Sequence, residues 1–379
     1  MQLASHQFTL HRGWNNPLDP ALDSENSLLV IFGGSDLDKL ASGFADLRRN
    51  FPNSVWIGCS TSGEIYDHSL DDGTLAVAVM KFTNATLRKT TSKIVDTKSS
   101  FQIGSDLITS LSAPDLKGVL VLSDGLLING SELARGLSQN LPEGVKVTGG
   151  LAGSGVGFNN TWVIVDNTPQ PHHVVAVGLY GDHVGITCGS HGGWDVLGPA
   201  REVTRSEGNV LYSLDGQPAL SLYKKYLGER AADLPTSGLL FPLAILNDQK
   251  KDGLTVRCLI SINEDEDSIT FAGDIPQGGH VQLMRANYDR LIDGALADVS
   301  QLAFDDYVNG PLLTLAISCA GRRAVLTQRI EEEIDIVFDG LPPGSALVGF
   351  YSSGELTTLA SGCCALLNQT MTLASFWEK

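Results

Sequence analysis

One short phrase occurs near the start of the chain and again near its end, and this repetition constrains the fold more than any other feature. The first copy is Gly58-Cys59-Ser60-Thr61-Ser62-Gly63-Glu64-Ile65 and the second is Gly349-Phe350-Tyr351-Ser352-Ser353-Gly354-Glu355-Leu356. A weaker copy, Gly150-Leu151-Ala152-Gly153-Ser154-Gly155, lies between them, and each copy follows a short apolar run. Supersecondary units that recur along a chain indicate duplication, so the sequence predicts a fold built from similar units.

The residues around each copy predict one order of elements. Apolar residues 28–32 indicate a strand covered on both faces, and apolar residues at helical spacing over 37–47 indicate a helix that ends near Asn50. Ser35 and Asp38 form a capping-box pattern at its start. Similar patterns occur at 119–140 and at 313–338, where one helix carries the apolar positions from 325 to 338. The predicted fold class is therefore α/β, with mixed β-sheets covered by helices and repeated strand-helix-strand-glycine turn-strand units.

The chain changes character after the second unit. Asp215-Gly216-Gln217-Pro218 opens a predicted helix that closes at Gly228, with proline first and glycine last. A length of 379 residues also favours two domains over one core. We place the boundary in this region, which predicts an N-terminal domain over 1–220 and a C-terminal domain over 221–379.

Charge excludes two classes of partner. A formal net charge of −17 repels phosphate backbones and anionic lipids, so neither nucleic acid nor a membrane surface is predicted as a partner. No apolar stretch approaches the roughly 20 residues that span a bilayer. The first residues lack the pattern of a secretion signal, and the six cysteines lack metal spacing. We therefore expect a cytoplasmic protein with reduced thiols.

The glycine-rich phrases allow two interpretations. Small residues after a strand let backbone amides approach a ligand, but a tight turn needs the same residues for its own geometry. Cys59 is not predicted to be a nucleophile, because the corresponding positions hold Leu151 and Phe350. The second copy has Val156 where the others have a glutamate, so the turn itself does not require the acid. If the phrases bind a ligand, the candidate residues are Cys59, Ser60, Ser62, Glu64, Ser353 and Glu355.

A second candidate site contains histidine. Ser190-His191-Gly192-Gly193-Trp194 places an imidazole beside two glycines and a flat aromatic ring, an arrangement suited to an axial ligand of a metal centre in a roomy pocket. His183 is the second choice of ligand. Arg201 and Arg205 follow closely enough to pair with haem propionates. The alternative for any lone histidine is an ordinary surface or core position.

Several of these motifs occur together in the order typical of one family. The chain resembles the FIST family of bacterial sensory proteins in Gly58 to Ile65, Ser123-Asp124-Gly125, Thr148 to Gly153, Val203-Thr204-Arg205 through Asp215 to Leu220, and Gly349 to Glu355. The resemblance covers most of the chain. It implies an N-terminal and a C-terminal FIST domain that sense a small ligand in signal transduction.

The resemblance extends to the two-domain members known as NosP, which are haem-containing nitric oxide sensors. It implies non-covalent haem b held by His191, nitric oxide as the signal, and control of a separate histidine kinase and hence of biofilm formation; a homo-oligomer stays open. No enzymatic activity is predicted, since no acid–base constellation is recognisable. The alternative is a haem-free FIST module that binds a small metabolite such as an amino acid through the Glu64 and Glu355 turns.

Overall fold

The computed structural model of the chain describes residues 1–155, 160–246, 254–304, 307 and 310–379. Val156, which the sequence aligns with Glu64 and Glu355, lies outside the described residues.

The first two units follow one another along the chain. The first contains β1 (Gln2–Thr9), β2 (Gly13–Trp14), β3 (Ser27–Gly33), α1 (Leu37–Asn50), β4 (Val55–Ser60), β5 (Glu64–Tyr66), β6 (Ser69–Asp71) and β7 (Leu75–Lys81). The second contains β8 (Thr86–Lys93), α2 (Ser100–Leu111), β9 (Leu116–Ser123), α3 (Gly130–Gln139), β10 (Lys146–Leu151), β11 (Val163–Val165), β12 (Thr168–Gln170) and β13 (His173–Tyr180).

The third unit is interrupted by an inserted segment. The unit begins with β14 (Val184–His191), and the insertion contains β15 (Asp195–Glu207), β16 (Val210–Leu214), β17 (Gln217–Pro218), α4 (Ala219–Leu227), β18 (Leu243–Leu246), β19 (Thr255–Arg257), β20 (Leu259–Asn263), β21 (Ser268–Phe271) and β22 (His280–Arg285). The unit resumes with α5 (Tyr288–Gln301), β23 (Leu312–Cys319), α6 (Ala320–Leu326), α7 (Ile330–Gly340), β24 (Ser345–Ser352), β25 (Gly354–Thr358), β26 (Cys364–Leu367) and β27 (Met371–Glu378). Short 3-10 turns occupy 20–22, 97–99, 228–233, 236–240 and 327–329.

Three sheets share one strand order. They run β12-β11-β4-β3-β7-β1, β26-β25-β10-β9-β13-β8 and β6-β5-β24-β23-β27-β14, and the first continues into β2. In each sheet the central pair is parallel: β3 with β4, β9 with β10, and β23 with β24. The inserted strands form a separate sheet in the order β19-β18-β22-β15-β16-β21-β20, with β17 beside β16. This arrangement confirms the predicted mixed α/β fold of repeated units.

Each unit gives its hairpin to another unit. The hairpin β5–β6 of the first unit pairs with β24 of the third, β25–β26 of the third pairs with β10 of the second, and β11–β12 of the second pairs with β4 of the first. The exchange therefore closes a cycle of three units. Three of the four sheets, including the inserted one, combine strands from both sides of residue 220. The predicted domain boundary stays a prediction.

The largest hydrophobic core lies where the three sheets meet. It combines side chains from all three units, among them Phe32, Leu122 and Phe350, each completely buried. The rings of Phe32 and Phe350 stack with their centroids 4.6 Å apart. Because the core is shared, no unit could bury its apolar strands alone.

Some local predictions are confirmed and two are wrong. Helix α4 begins after Pro218 and ends at Gly228, as predicted. The capping box at Ser35 does not form, because the N-cap residue of α1 is Asp36 and its side chain makes no capping bond. The single helix predicted up to residue 338 is two helices, since Thr327 between α6 and α7 has a φ of 52°.

Candidate functional site

The glutamates of the glycine turns lie inside the protein. Glu64 and Glu355 are 1% and 0% exposed. One oxygen of Glu64 accepts hydrogen bonds from the amide and hydroxyl of Thr74 at 2.8 and 3.0 Å, and Thr61 bonds to the other. Thr370 and Ser352 bond to Glu355 in the same way. Each carboxyl group therefore links its turn by hydrogen bonds to the threonine that precedes the last strand of its unit, Thr74 before β7 and Thr370 before β27.

Burial dominates the chemistry of both carboxyl groups. Desolvation raises the pKa of Glu64 to about 7 and that of Glu355 to about 8, against the lowering effect of their hydrogen bonds. A buried acid that is already bonded on both oxygens presents nothing to a ligand. The structure thus supports the tight-turn interpretation of these two residues.

The other turn residues also join the units to one another. The hydroxyl of Ser60 accepts a hydrogen bond from the Trp162 amide at 3.0 Å, and the hydroxyl of Ser353 donates to the Ala152 carbonyl at 3.0 Å. The amide of Ser62 donates to the Tyr351 carbonyl at 2.8 Å. Cys59 is completely buried, and burial raises its pKa well above the usual thiol value, which opposes thiolate chemistry.

The two candidate histidines occupy opposite ends of strand β14. His183 precedes the strand and His191 is its last residue; both are exposed. His191 borders a cleft of about 820 Å³ that lies between β14, the inserted sheet, α5 and the exchanged strand β25. His183 is not among the lining residues. The structure therefore separates the two candidates, and only His191 reaches this cleft.

One face of α5 forms a wall of the cleft. Arg290, Asp293, Gly294, Ala297 and Gln301 recur every three or four residues, which places them on one side of the helix. The facing wall is Thr357 to Ala360 at the end of β25, with Lys146 beside it. Val256, Leu254 and Leu367 close the cleft with apolar surface. The lining thus combines an apolar part with a few charged and polar groups, as ligand pockets do.

Glycines let α5 approach the His191 segment closely. Gly193 has a φ of +76°, and a Cβ on it would lie 2.1 Å from the Arg290 carbonyl oxygen. A Cβ on Gly294 would lie 3.3 Å from both the Gly193 backbone and the His191 ring. Larger residues at these positions would push the helix off the segment. Gly193 and Gly294 therefore allow α5 to lie close to the His191 segment on this side of the cleft.

A buried arginine forms hydrogen bonds with the backbone that follows His191. Arg322 is 0% exposed; it pairs with Glu333 and donates to the carbonyl oxygens of Gly192 and Leu291. Trp194 donates its indole N–H to the Gln369 carbonyl at 2.9 Å. Hydrogen bonds to α6 and to the segment just before β27 thus hold the residues after His191. The sequence does not single out Arg322, since a single arginine in an amphipathic helix carries no signal of burial.

The two predicted propionate partners lie elsewhere. Arg201 donates to Tyr226 and pairs with Asp215 at 2.8 Å, and Arg205 stacks on Tyr212. Neither borders the cleft, because β15 carries both into the inserted sheet. Of the lysines and arginines that the structure describes, Lys146 and Arg290 border it. Closeness in sequence to His191 did not predict these two residues, because Lys146 lies on β10 and Arg290 on α5.

Two features that the described residues lack bear on the class of site. Within those residues, no group of three or more histidine, cysteine, aspartate or glutamate side chains is arranged to hold a metal ion. None of the described helices has both the length and the apolar character needed to cross a bilayer.

Comparison with known proteins identifies similar sequences across almost the whole chain. The family model described as the FIST N domain matches residues 27–217, and the one described as the FIST C domain matches residues 219–358. The uncharacterized protein MJ1623 of Methanocaldococcus jannaschii is 22% identical over 403 aligned residues, which cover 96% of this chain and 75% of that protein.

Proposed function

Because this chain belongs to the FIST family of sensory proteins, we propose that it is a sensor whose ligand occupies the cleft beside His191. We further propose that this ligand is non-covalent haem b, with His191 as the axial ligand and nitric oxide as the signal. The observation that carries the proposal is an exposed imidazole on a cleft of about 820 Å³. Pockets for cofactors typically measure about 300–1,000 Å³.

The residues of the cleft are compatible with haem. A neutral imidazole is a common axial ligand, and His191 forms no hydrogen bond or ion pair within the described residues that would block its ring nitrogens. Leu254, Leu359 and Leu367 give the cleft apolar surface for a flat ring. When bound, haem iron supplies a coordination position at which a diatomic gas can bind. The chain itself supplies the imidazole and the walls that limit access by water.

Arg322 connects the His191 segment to helix α7, so a change at His191 can be transmitted to that helix. Arg322 bonds to the Gly192 carbonyl on one side and to Glu333 of α7 on the other. If the ligand-free and ligand-bound states differ in these contacts, a ligand that moves His191 would also shift the position of α7. A separate histidine kinase that contacts this helix is the partner we propose.

Two histidine variants test the proposal. We expect His191→Ala to lose the Soret band of the wild-type protein titrated with haem, and added imidazole to restore it. His183→Ala is the matched control, because it removes an exposed histidine beside the other end of the same strand and should leave the spectrum unchanged. The haem ligand assignment is wrong if both variants keep the wild-type spectrum and its response to nitric oxide.

The haem-free alternative rests on the polar part of the same cleft. Asp293, Gln301 and Ser190 are groups that a small polar metabolite such as an amino acid could use. The Glu64 and Glu355 turns do not support this alternative, since both carboxyl groups are buried. The metabolite sensor would be favoured if wild-type protein titrated with haem shows no Soret band of bound haem, but amino acids raise its melting temperature.

A further inference from the structure

We propose that Lys146 is the anion-binding residue of the His191 cleft, and that the physiological ligand carries a carboxylate or phosphate group at that end of the cleft. This inference rests on the proposed function only in using the same cleft. It names a chemical class of ligand whether or not the ligand is haem.

The charges of the lining residues single out Lys146. Arg290 is already neutralised, because its guanidinium pairs with Asp195 at 2.5 Å and Asn287 donates to the same carboxylate at 3.1 Å. Lys146 is half-buried and forms no ion pair within the part of the chain that the structure describes. Lys146 is thus a cationic residue of the cleft with no charged partner in that part of the chain, in a protein of net charge −17. An acidic group on the ligand would pair with it.

The position of Lys146 fixes where that acidic group lies. Lys146 begins β10, next to Thr358, whose hydroxyl bonds to the Val147 amide at 2.6 Å. Its charge also acts on Cys188 on the floor of the cleft, where burial raises the thiol pKa to about 12 and Lys146 opposes that rise. Cys188 lies three residues before His191 on β14, a separation of about 10 Å along the strand.

The opposite wall favours one orientation of the ligand. Asp293 borders the cleft from α5 and forms no ion pair within the described residues. It follows Arg290 on the helix and precedes Gly294, on which a Cβ would lie 3.3 Å from the His191 ring. An acidic ligand group would be repelled by Asp293 and attracted by Lys146. The ligand would therefore point its acidic group away from α5 and place its apolar body against Leu359 and Leu367.

A pair of dyes tests the inference without haem. Anilinonaphthalene sulfonate is an anionic dye that fluoresces on apolar surfaces, and Nile red is a neutral one. We expect Lys146→Gln to weaken binding of the anionic dye about tenfold, the loss typical of one charge-assisted contact, and to leave Nile red binding unchanged. Lys146→Arg should retain most of the affinity. Lys117→Gln, which removes an ion-paired lysine outside the cleft, is the matched control and should change neither dye.

The haem form of the test separates the two proposals. Wild type and Lys146→Gln are titrated with haem and with its dimethyl ester, which lacks the free carboxylates. If the haem proposal holds, the substitution should weaken haem and not the ester. If wild type binds neither porphyrin but the dye result stands, the haem proposal fails and the anion site remains. Equal affinity of wild type and Lys146→Gln for the anionic dye would overturn the inference.

Discussion

Arg322 and Gly192 are joined by a hydrogen bond in which a guanidinium nitrogen donates to the carbonyl oxygen at 2.6 Å. Gly192 directly follows His191, so a completely buried cation fixes the backbone of the candidate ligand residue. The same cation pairs with Glu333 on α7. The position of His191 thus depends on contacts made far from it in the sequence.

Removing Arg322 should therefore be costly. We expect Arg322→Met to lower the free energy of unfolding by about 3–5 kcal/mol, because it leaves the Glu333 carboxylate buried without its partner. Urea denaturation measures the loss. Arg329→Met, which breaks the exposed pairs with Glu332 and Asp289, should cost much less than Arg322→Met, because water screens exposed ion pairs. Replacing Arg322 and Glu333 together by apolar residues should recover much of the stability; if the double variant is no better than the single one, charge burial is not the cause.

The buried glutamates predict a dependence of stability on pH. The pKa of Glu64 is about 7 and that of Glu355 about 8 in the folded protein, so each keeps a proton that the unfolded chain releases near its ordinary value of 4.5. The unfolded state then binds fewer protons, and the free energy of unfolding falls as pH rises between about 4.5 and 8. For Glu64 the fall is on the order of 3 kcal/mol, at about 1.36 kcal/mol per pKa unit.

Glutamine variants measure this contribution directly. Glu64→Gln and Glu355→Gln mimic the protonated acid, so each should flatten the fall of stability with pH and cost little at pH 8. The exposed Glu331→Gln is the control and should keep the wild-type slope. A wild-type protein whose urea midpoint stays constant over this pH range would show that the two acids are ionised when folded.

Much of the fold was predictable from local patterns. The strand-helix-strand order of each unit follows from apolar periodicity, as at 28–32 and in α1, because those residues face a core whatever the neighbours are. The exchange of hairpins was not predictable. The pairing of Glu64 with Phe350 joins residues far apart in the sequence, and no local pattern states which unit a hairpin will join.

The candidate site was predictable in part. The sequence predicted His191, beside two glycines, as a pocket residue, and the structure places His191 on the cleft. The close approach of α5 to Gly193 was not predicted. The sequence could not identify Lys146, because it comes from a different unit and reaches the cleft only through the packing of β14 against the second sheet. Arg201 and Arg205 show the opposite error: they are close in sequence, but β15 leads away from the cleft.

The close approach at Gly193 gives a sharp comparison between two glycines. Gly193 and Gly278 have nearly equal φ angles of +76° and +79°, but a Cβ on Gly278 meets nothing within 4 Å. We expect Gly278→Ala to cost about 1–2 kcal/mol from the backbone conformation alone. Gly193→Ala should cost at least about 2 kcal/mol more, since its methyl group would collide with the Arg290 carbonyl. It should also weaken haem or dye binding in the cleft, as Gly278→Ala should not. Equal costs in urea denaturation would contradict the tight packing of α5.

The carboxylate of Glu378 should lower the free energy of unfolding as pH falls. Glu64 and Glu355 have the opposite effect, since they lower it as pH rises. Burial acts to raise its pKa, but hydrogen bonds from the Met1 amine and from the Asn84 and Thr83 amides outweigh it and lower the pKa to about 2. A lowered pKa contributes stability above the unfolded value of 4.5, and that contribution disappears as pH falls from about 4.5 to 2. Glu378→Gln should therefore lower the free energy of unfolding at pH 7 by about 2 kcal/mol and make little difference at pH 2. Thermal unfolding over this range measures both, and an effect of Glu378→Gln that is the same at pH 7 and pH 2 would mean that packing, not charge, explains the contact.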